Sequence, residues 1–309
     1  MNILYHCTFS NQDDFLKLLK KKFKSHKILT LDDNIQFEKI EVALVWNLPD
    51  KILKKLTNLK IIFSLGAGVD HILNLSNYKK TPIIRIQDQN MRARMLNHVL
   101  SQILNYQLKL NDYSKAQAKK IWLDERYTPL NKELTIGVLG LGYIGSFVAN
   151  KLKVLGYNVI GYKNSVNKSN LSIPVYYKNS IKYFLKLSDI VVSILPATKK
   201  TKDLINKSFL KNMKKNCLLI NIGRGSSLSE VDLLEHIKKN PNFFASLDVF
   251  KMEPLPKTHR FWKNQNITIT PHVAAITDAD SSIDYIFTKF EQFRKKGKMK
   301  SDVIVKNGY

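Results

Sequence analysis

The sequence predicts an α/β protein of two doubly wound units, and three observations carry that prediction. Short apolar strands alternate with helical patterns along the whole chain. A glycine-rich turn stands at a strand–helix junction near the middle, and about 130 residues precede it. At 309 residues the chain is long enough for two cores of ordinary size.

Taken in order, residues before 90 predict strands at Asn2–Cys7, Glu41–Trp46, Leu59–Leu65 and Pro82–Ile86, where β-branched and other apolar residues cluster. Helical spacing lies between them at Gln12–Phe23 and Asp50–Leu56. A longer helix, Arg94–Lys109, follows. Thr135-Ile-Gly-Val-Leu139 is a strand that runs into the glycines, and a helix over Ser146–Leu155 comes next. The alternation then resumes, with strands at Asn158–Tyr162, Ile190–Leu195, Cys217–Ile222, Phe243–Val249 and Ile267–Thr270. Helices are expected near Lys178–Leu187, Lys207–Asn212 and Glu230–Lys238, which completes a six-strand doubly wound unit. A last helix, about Asp278 to Lys296, could carry the C-terminal segment back to the first unit.

Composition narrows the function. No apolar run approaches the ~18 residues of a membrane span, and Met1–Cys7 reads as a first strand rather than a leader. Cys7 and Cys217 both sit in apolar strand-like runs, as free thiols of a cytoplasmic protein would, and no Cys/His spacing suggests a metal. The net charge is +25, but only seven of the 50 basic residues are arginine, and the lysines are scattered over every helix. That pattern fits solvated surface and no specific nucleic acid. The densest run, Lys20–Lys24, fits the polar face of the first helix.

Gly140-x-Gly142-x-x-Gly145, with strand before and helix after, is the dinucleotide fingerprint. Gly140, Gly142, Tyr143, Ile144 and Gly145 are therefore expected to cradle a pyrophosphate at a helix start. Pro196, Ile222 and Asp248 lie at later strand ends and join them in the cofactor crevice. No Asp or Glu occurs between Gly145 and Asp189, where an acidic residue would bind the ribose of NAD roughly 20 residues past the glycines. Lys163, Asn164 and Ser165 stand there instead, with Lys168 beyond, and suit a 2′-phosphate. NADPH is the expected cofactor, with NADH as the alternative.

Three further strand ends carry chemistry. Arg224 lies between two glycines, and its guanidinium suits two-pronged capture of a carboxylate. Glu253 lies in a Pro-rich loop after Asp248, and His272 follows Thr270-Pro271. An arginine, a carboxylate and a histidine beside a dinucleotide crevice are what reduction of a 2-oxo acid requires: an anchor, a proton donor and a charge to sustain that donor.

The segments VLGLGYIG, NIGRG, LDVFKMEPLP and TPHVAA, in this order, resemble the D-isomer-specific 2-hydroxyacid dehydrogenases. Ala43-Leu-Val-Trp46, Phe63–Asp70, Thr270–Thr277 and Gly308-Tyr309 point to one branch, the glyoxylate/hydroxypyruvate reductases. The resemblance implies a Rossmann cofactor domain, residues 96–279, inserted into a flavodoxin-like substrate domain, residues 1–95 and 280–309. It implies that Arg224 binds substrate, that His272 donates the proton and that Glu253 pairs with His272. Trp46 would wall the pocket, with Trp122 a further candidate, and the turn holding Ala67 and Gly68 would offer N–H groups to the acid. A homodimer through the cofactor domain is also implied. Two departures stand out: Leu96-Asn97-His98 where the family often has a glutamate, and Asp278-Ala279 where the branch has Arg-Pro. Rival readings are an NAD-dependent dehydrogenase of another acid such as D-lactate, and a nucleotide-sensing protein of the corepressor type.

Overall fold

The structure, a computed structural model, describes residues 1–164, 171–305 and 308. It divides into two compact units, Met1–Met91 with Thr277–Tyr309, and Arg92–Ile276. Each division lies a few residues ahead of the expected one.

The first unit is built on five strands, β1 (Asn2–His6), β2 (Lys27–Leu29), β3 (Ile40–Val45), β4 (Ile61–Ser64) and β5 (Ile83–Arg85). They are all parallel in the order β2-β1-β3-β4-β5, the flavodoxin-like winding. Every residue of β4 is buried, as a parallel strand covered on both faces requires. Helix α1 (Gln12–Lys22) buries Phe15 and Leu19. Its lysines Lys20, Lys21 and Lys22 fill the last turn, where the helix dipole favours positive charge. Two one-turn helices follow, α2 (Asp50–Leu53) and α3 (Asp70–Leu73).

Helix α4 (Gln89–Gln107) starts earlier than its apolar spacing indicated. The buried Asp88 caps it by accepting the N–H groups of Asn90 and Met91 at 3.1 and 3.2 Å. After α4 the chain turns through Lys109, in the left-handed region, into α5 (Leu110–Ala118), an element the sequence reading did not separate.

The second unit holds a seven-stranded parallel sheet rather than the six strands expected. Its strands are β6 (Thr135–Leu139), β7 (Asn158–Lys163), β8 (Val175–Tyr177), β9 (Ile190–Ser193), β10 (Leu218–Asn221), β11 (Phe244–Leu247) and β12 (Ile267–Ile269). The order is β12-β11-β10-β9-β6-β7-β8, so the winding reverses where β6 lies between β7 and β9. Open α/β sheets take their ligands outside the carboxyl ends at such a reversal. The additional strand is β8, three residues long at the sheet edge. Helices α6 (Tyr143–Val154), α7 (Ile181–Leu187), α8 (Lys207–Lys211) and α9 (Glu230–Lys239) cover the sheet.

The closing helix α10 (Ala279–Lys296) belongs to the first unit. Phe287 and Phe290 pack against Phe23 with ring centroids 5.0 Å apart in each case, and Lys22 pairs with Asp284 at 2.7 Å. Asp278 caps α10 by accepting the Ser281 N–H at 3.0 Å, a local role for the residue that stands where the branch has arginine.

Candidate active site

The glycine-rich turn has the geometry its spacing predicts. Gly140 follows β6 at φ +101°, a conformation that side-chain-bearing residues rarely adopt. A Cβ on Gly145 would lie 1.9 Å from the Gly140 carbonyl oxygen, whereas one on Gly142 would meet nothing within 4 Å. The turn is thus closed behind and open in front, as a pyrophosphate at a helix start requires. Helix α6 begins at Tyr143, not Ser146, with Gly142 as its N-cap. Tyr143, Ile144 and Gly145 therefore form its first turn, whose N–H groups have no acceptor within the helix. The residues present fit a dinucleotide.

Lys163 ends β7 and Asn164 follows it, exposed. The Lys163 ammonium lies 5.8 Å from the centre of the Tyr177 ring, held at the strand end by the aromatic face. Ser165 and Lys168, expected to join them, lie outside the described residues. Pro196 follows β9, and its carbonyl accepts the Thr201 hydroxyl at 2.6 Å. Ile222 is buried behind the crevice, with its N–H on Ser193.

Arg224, Asp248 and Thr270 follow the neighbouring strands β10, β11 and β12. Asn221, which sequence reasoning passed over, shapes the first of these loops. It is fully buried at the end of β10, and its amide donates to the Arg224 carbonyl at 3.3 Å. The Ser227 hydroxyl donates to the same carbonyl at 2.7 Å, so the backbone under Arg224 is tied from two sides. A polar residue closing an apolar strand was the available signal.

His272 sits in the left-handed region, at φ +56°, which the loop must hold in place. Asp248 holds it. This carboxylate is buried, and Oδ1 accepts the Thr270 hydroxyl at 2.6 Å and the Val273 N–H at 2.9 Å. Its Oδ2 accepts the Ala274 N–H at 3.0 Å, and its own carbonyl takes the His272 N–H at 2.8 Å. Asp248, expected among the cofactor contacts, is thus the clamp of the loop that carries His272. Nearby in α4, burial holds the His98 imidazole below its ordinary pKa, while the Asp248 charge opposes that shift.

The Glu253 carboxylate completes the arrangement. Its Oε2 lies 2.6 Å from His272 Nδ1, and its Oε1 accepts the Phe250 N–H at 2.8 Å. Burial pushes this carboxyl up, but the His272 and Phe250 hydrogen bonds and the charges of His272 and Arg224 outweigh it, and the net shift is downward. The imidazole therefore faces an ionised partner at Nδ1. His272 and Glu253 keep 44% and 35% of their side chains exposed, so the pair can be reached by a ligand. The structure thus gathers Arg224, Glu253 and His272 on adjoining loops of one unit.

In the first unit, Trp46 follows β3 and Ala67 and Gly68 follow β4. These strands are neighbours, and Val45 is in register with Ser64, so the indole and the turn stand side by side. Trp122, the other candidate wall, is 93% exposed.

Residues 100–274 match the family model described as D-isomer specific 2-hydroxyacid dehydrogenase, NAD binding domain. Glyoxylate/hydroxypyruvate reductase A of Photorhabdus laumondii is 35% identical over 277 residues, covering 87% of this chain and 88% of its own. The protein of the same name from Yersinia enterocolitica is 30% identical over the full length of both. Among solved structures, a probable 2-hydroxyacid dehydrogenase from Rhizobium etli, in complex with NADP, superposes with a TM-score of 0.91 at 29% identity. It covers 100% of this chain and 99% of that one. An NADPH-dependent glyoxylate/hydroxypyruvate reductase from Sinorhizobium meliloti, bound to NADP and sulfate, gives 0.89 at 29% identity over the same shares. By this family match and these relatives, the chain belongs to the D-isomer specific 2-hydroxyacid dehydrogenases.

Proposed function

We propose that this chain reduces small 2-oxo acids with NADPH, converting glyoxylate to glycolate and hydroxypyruvate to glycerate. The observation that carries the reading is the 2.6 Å pair between His272 and Glu253, on loops adjoining that of Arg224. A bound reduced nicotinamide supplies the hydride. Arg224 offers a fork of donors to the carboxylate and carbonyl oxygen of the acid. Protonated His272 passes its proton from Nε2 to that oxygen, while Glu253 at Nδ1 favours the charged imidazolium and holds the ring in place. Within the first unit, Trp46 and the N–H groups of Ala67 and Gly68 set an apolar ring beside anion-binding donors, which suits a small carboxylate.

Several features support the finer points. The exposed apolar side chains of Ile121, Trp122, Tyr127 and Leu130 lie between α5 and β6 and offer a face for a second copy of the second unit. Cys7 and Cys217 are free and buried, in keeping with a reducing cytoplasm, and no helix among the described residues is long and apolar enough to cross a membrane. The reading is tested by initial rates of NADPH oxidation with glyoxylate and with hydroxypyruvate against a blank without acid. Absence of acid-dependent oxidation with either cofactor overturns it.

Cofactor choice has its own test. Lys163 and Asn164 are assigned to the 2′-phosphate. Lys163→Asp places a carboxylate that repels that phosphate and accepts ribose hydroxyls instead, so the ratio of kcat/KM for NADPH over NADH is expected to fall by about tenfold or more. A wild type that already prefers NADH shows that Lys163 has no part in the choice.

A further inference from the structure

The first unit contains a hydrogen-bond relay that joins both of its substrate-facing parts. The Asn47 N–H donates to His71 Nδ1 at 3.1 Å, which places the imidazole proton on Nε2. That nitrogen lies 3.1 Å from the Ser64 hydroxyl. Ser64 Oγ in turn reaches the carbonyl oxygens of Gly66 at 3.0 Å and Gly68 at 2.9 Å. The Gly66 N–H approaches the same oxygen at 3.4 Å. A hydroxyl donates once and accepts twice, so the imidazole and the Gly66 amide take its lone pairs and its proton goes to the carbonyls.

The direction of those carbonyls decides what the turn presents. In a trans peptide the N–H points opposite to the preceding C=O. Ser64 is fully buried, so drawing the Gly66 carbonyl toward it turns the Ala67 N–H away from it, and its bond to the Gly68 carbonyl fixes the far end of the same turn. The other arm of the relay reaches Trp46. Asn47, the next residue, is held at φ +57°, and the Trp46 and His71 rings pack with centroids 4.2 Å apart. Phe9 supports the indole at 5.0 Å. The turn runs so close beneath it that a Cβ on Gly66 would lie 2.4 Å from an indole carbon.

We propose that His71 is a positioning residue for the 2-oxo acid: through Ser64 it aims the Ala67 N–H and fixes the turn that carries Gly68, and through Asn47 it holds Trp46. This rests on the reductase reading above. Glyoxylate and NADPH are the probes, and the variants are Ser64→Ala, His71→Leu and His71→Gln. Loss of aim in donors that serve binding raises KM, so Ser64→Ala and His71→Leu are expected to raise the KM for glyoxylate by about tenfold, with kcat and the Kd of NADPH nearly unchanged. His71→Gln keeps an N–H that reaches Ser64 and is expected to lie nearer the wild type than His71→Leu. If His71→Leu does not fold, Ser64→Ala, which removes a single oxygen, carries the same test. An active wild type with unaltered KM in the folded variants overturns the positioning role alone. So does a parallel loss of NADPH affinity, or a glutamine variant as impaired as leucine. An inactive wild type overturns the reductase reading instead.

Discussion

In a folded His272→Ala protein, kcat/KM for glyoxylate is expected to fall by about 10²–10⁴-fold, the span that a positioned general acid contributes. NADPH binding, followed by its fluorescence, should be nearly unchanged, because the fingerprint turn and Lys163 are made by other loops. The companion change, Glu253→Gln, keeps the shape and removes the charge. Glu253 is ionised in the wild type over an extended range, since its carboxyl is held below the usual glutamate value despite its burial. A depressed carboxylate loses its charge only as pH falls through that lowered value, so the pair persists across neutral and mildly acidic pH. The rate of reduction is therefore sustained there and declines on the acid side, as Glu253 takes up a proton. Without the carboxylate there is nothing at Nδ1 to take up that proton, so the acid limb of kcat/KM set by Glu253 is expected to disappear. An unmoved limb, with chemistry shown to be rate-limiting, dismisses the dyad.

Arg224→Lys is expected to lower kcat/KM by about 10²-fold, or ~2.7 kcal/mol, the worth of roughly one charge-assisted hydrogen bond. The charge survives the substitution, but the planar fork does not, and an ammonium on a flexible stem cannot meet two oxygens in fixed directions. KM should rise and kcat fall together, because the carboxylate and the reacting oxygen are both affected. The loop should keep its main ties, since Asn221 and Ser227 hold the Arg224 backbone carbonyl, while the 3.0 Å bond from the guanidinium to the Gly223 carbonyl is lost. Near-normal kinetics in the folded lysine variant remove Arg224 from the site.

The core strands and the glycine turn were legible because each carries a local signal, a run of β-branched residues or a fixed glycine spacing. The strands β2 and β8, each three residues at a sheet edge, were not; β5 and β12 are as short, but Pro82 and Ile86 flank the one and Thr270-Pro271-His272 follows the other. Helix starts shifted for a related reason: α4 and α6 begin at their caps, Asp88 and Gly142, several residues before the apolar repeat becomes visible. Arg224, Glu253 and His272 could be singled out because each follows a strand end, and the parallel order brings those ends together. The supporting contacts could not. That the Asn47 N–H meets His71 depends on the pairing of Val45 with Ser64, and that Asp248 clamps residues 270–274 depends on β11 lying beside β12. Residue types are local facts, whereas such partners are set by register between strands distant in the chain.

The path of the chain through its two units also bears on synthesis. The second unit is one continuous segment, Arg92–Ile276, while the first is assembled from two ends of the chain, with Phe287 and Phe290 of α10 packed on Phe23. Chains emerge from the ribosome N-terminus first, and domains generally fold as units as they emerge. The segment made earliest must therefore wait with part of its core uncovered while the inserted unit is made, and it is completed only when α10 arrives. The inserted unit can close on its own sheet before then. During that interval the exposed apolar surface belongs to the flavodoxin-like half, which makes it the part of the nascent chain most open to chaperones and to aggregation.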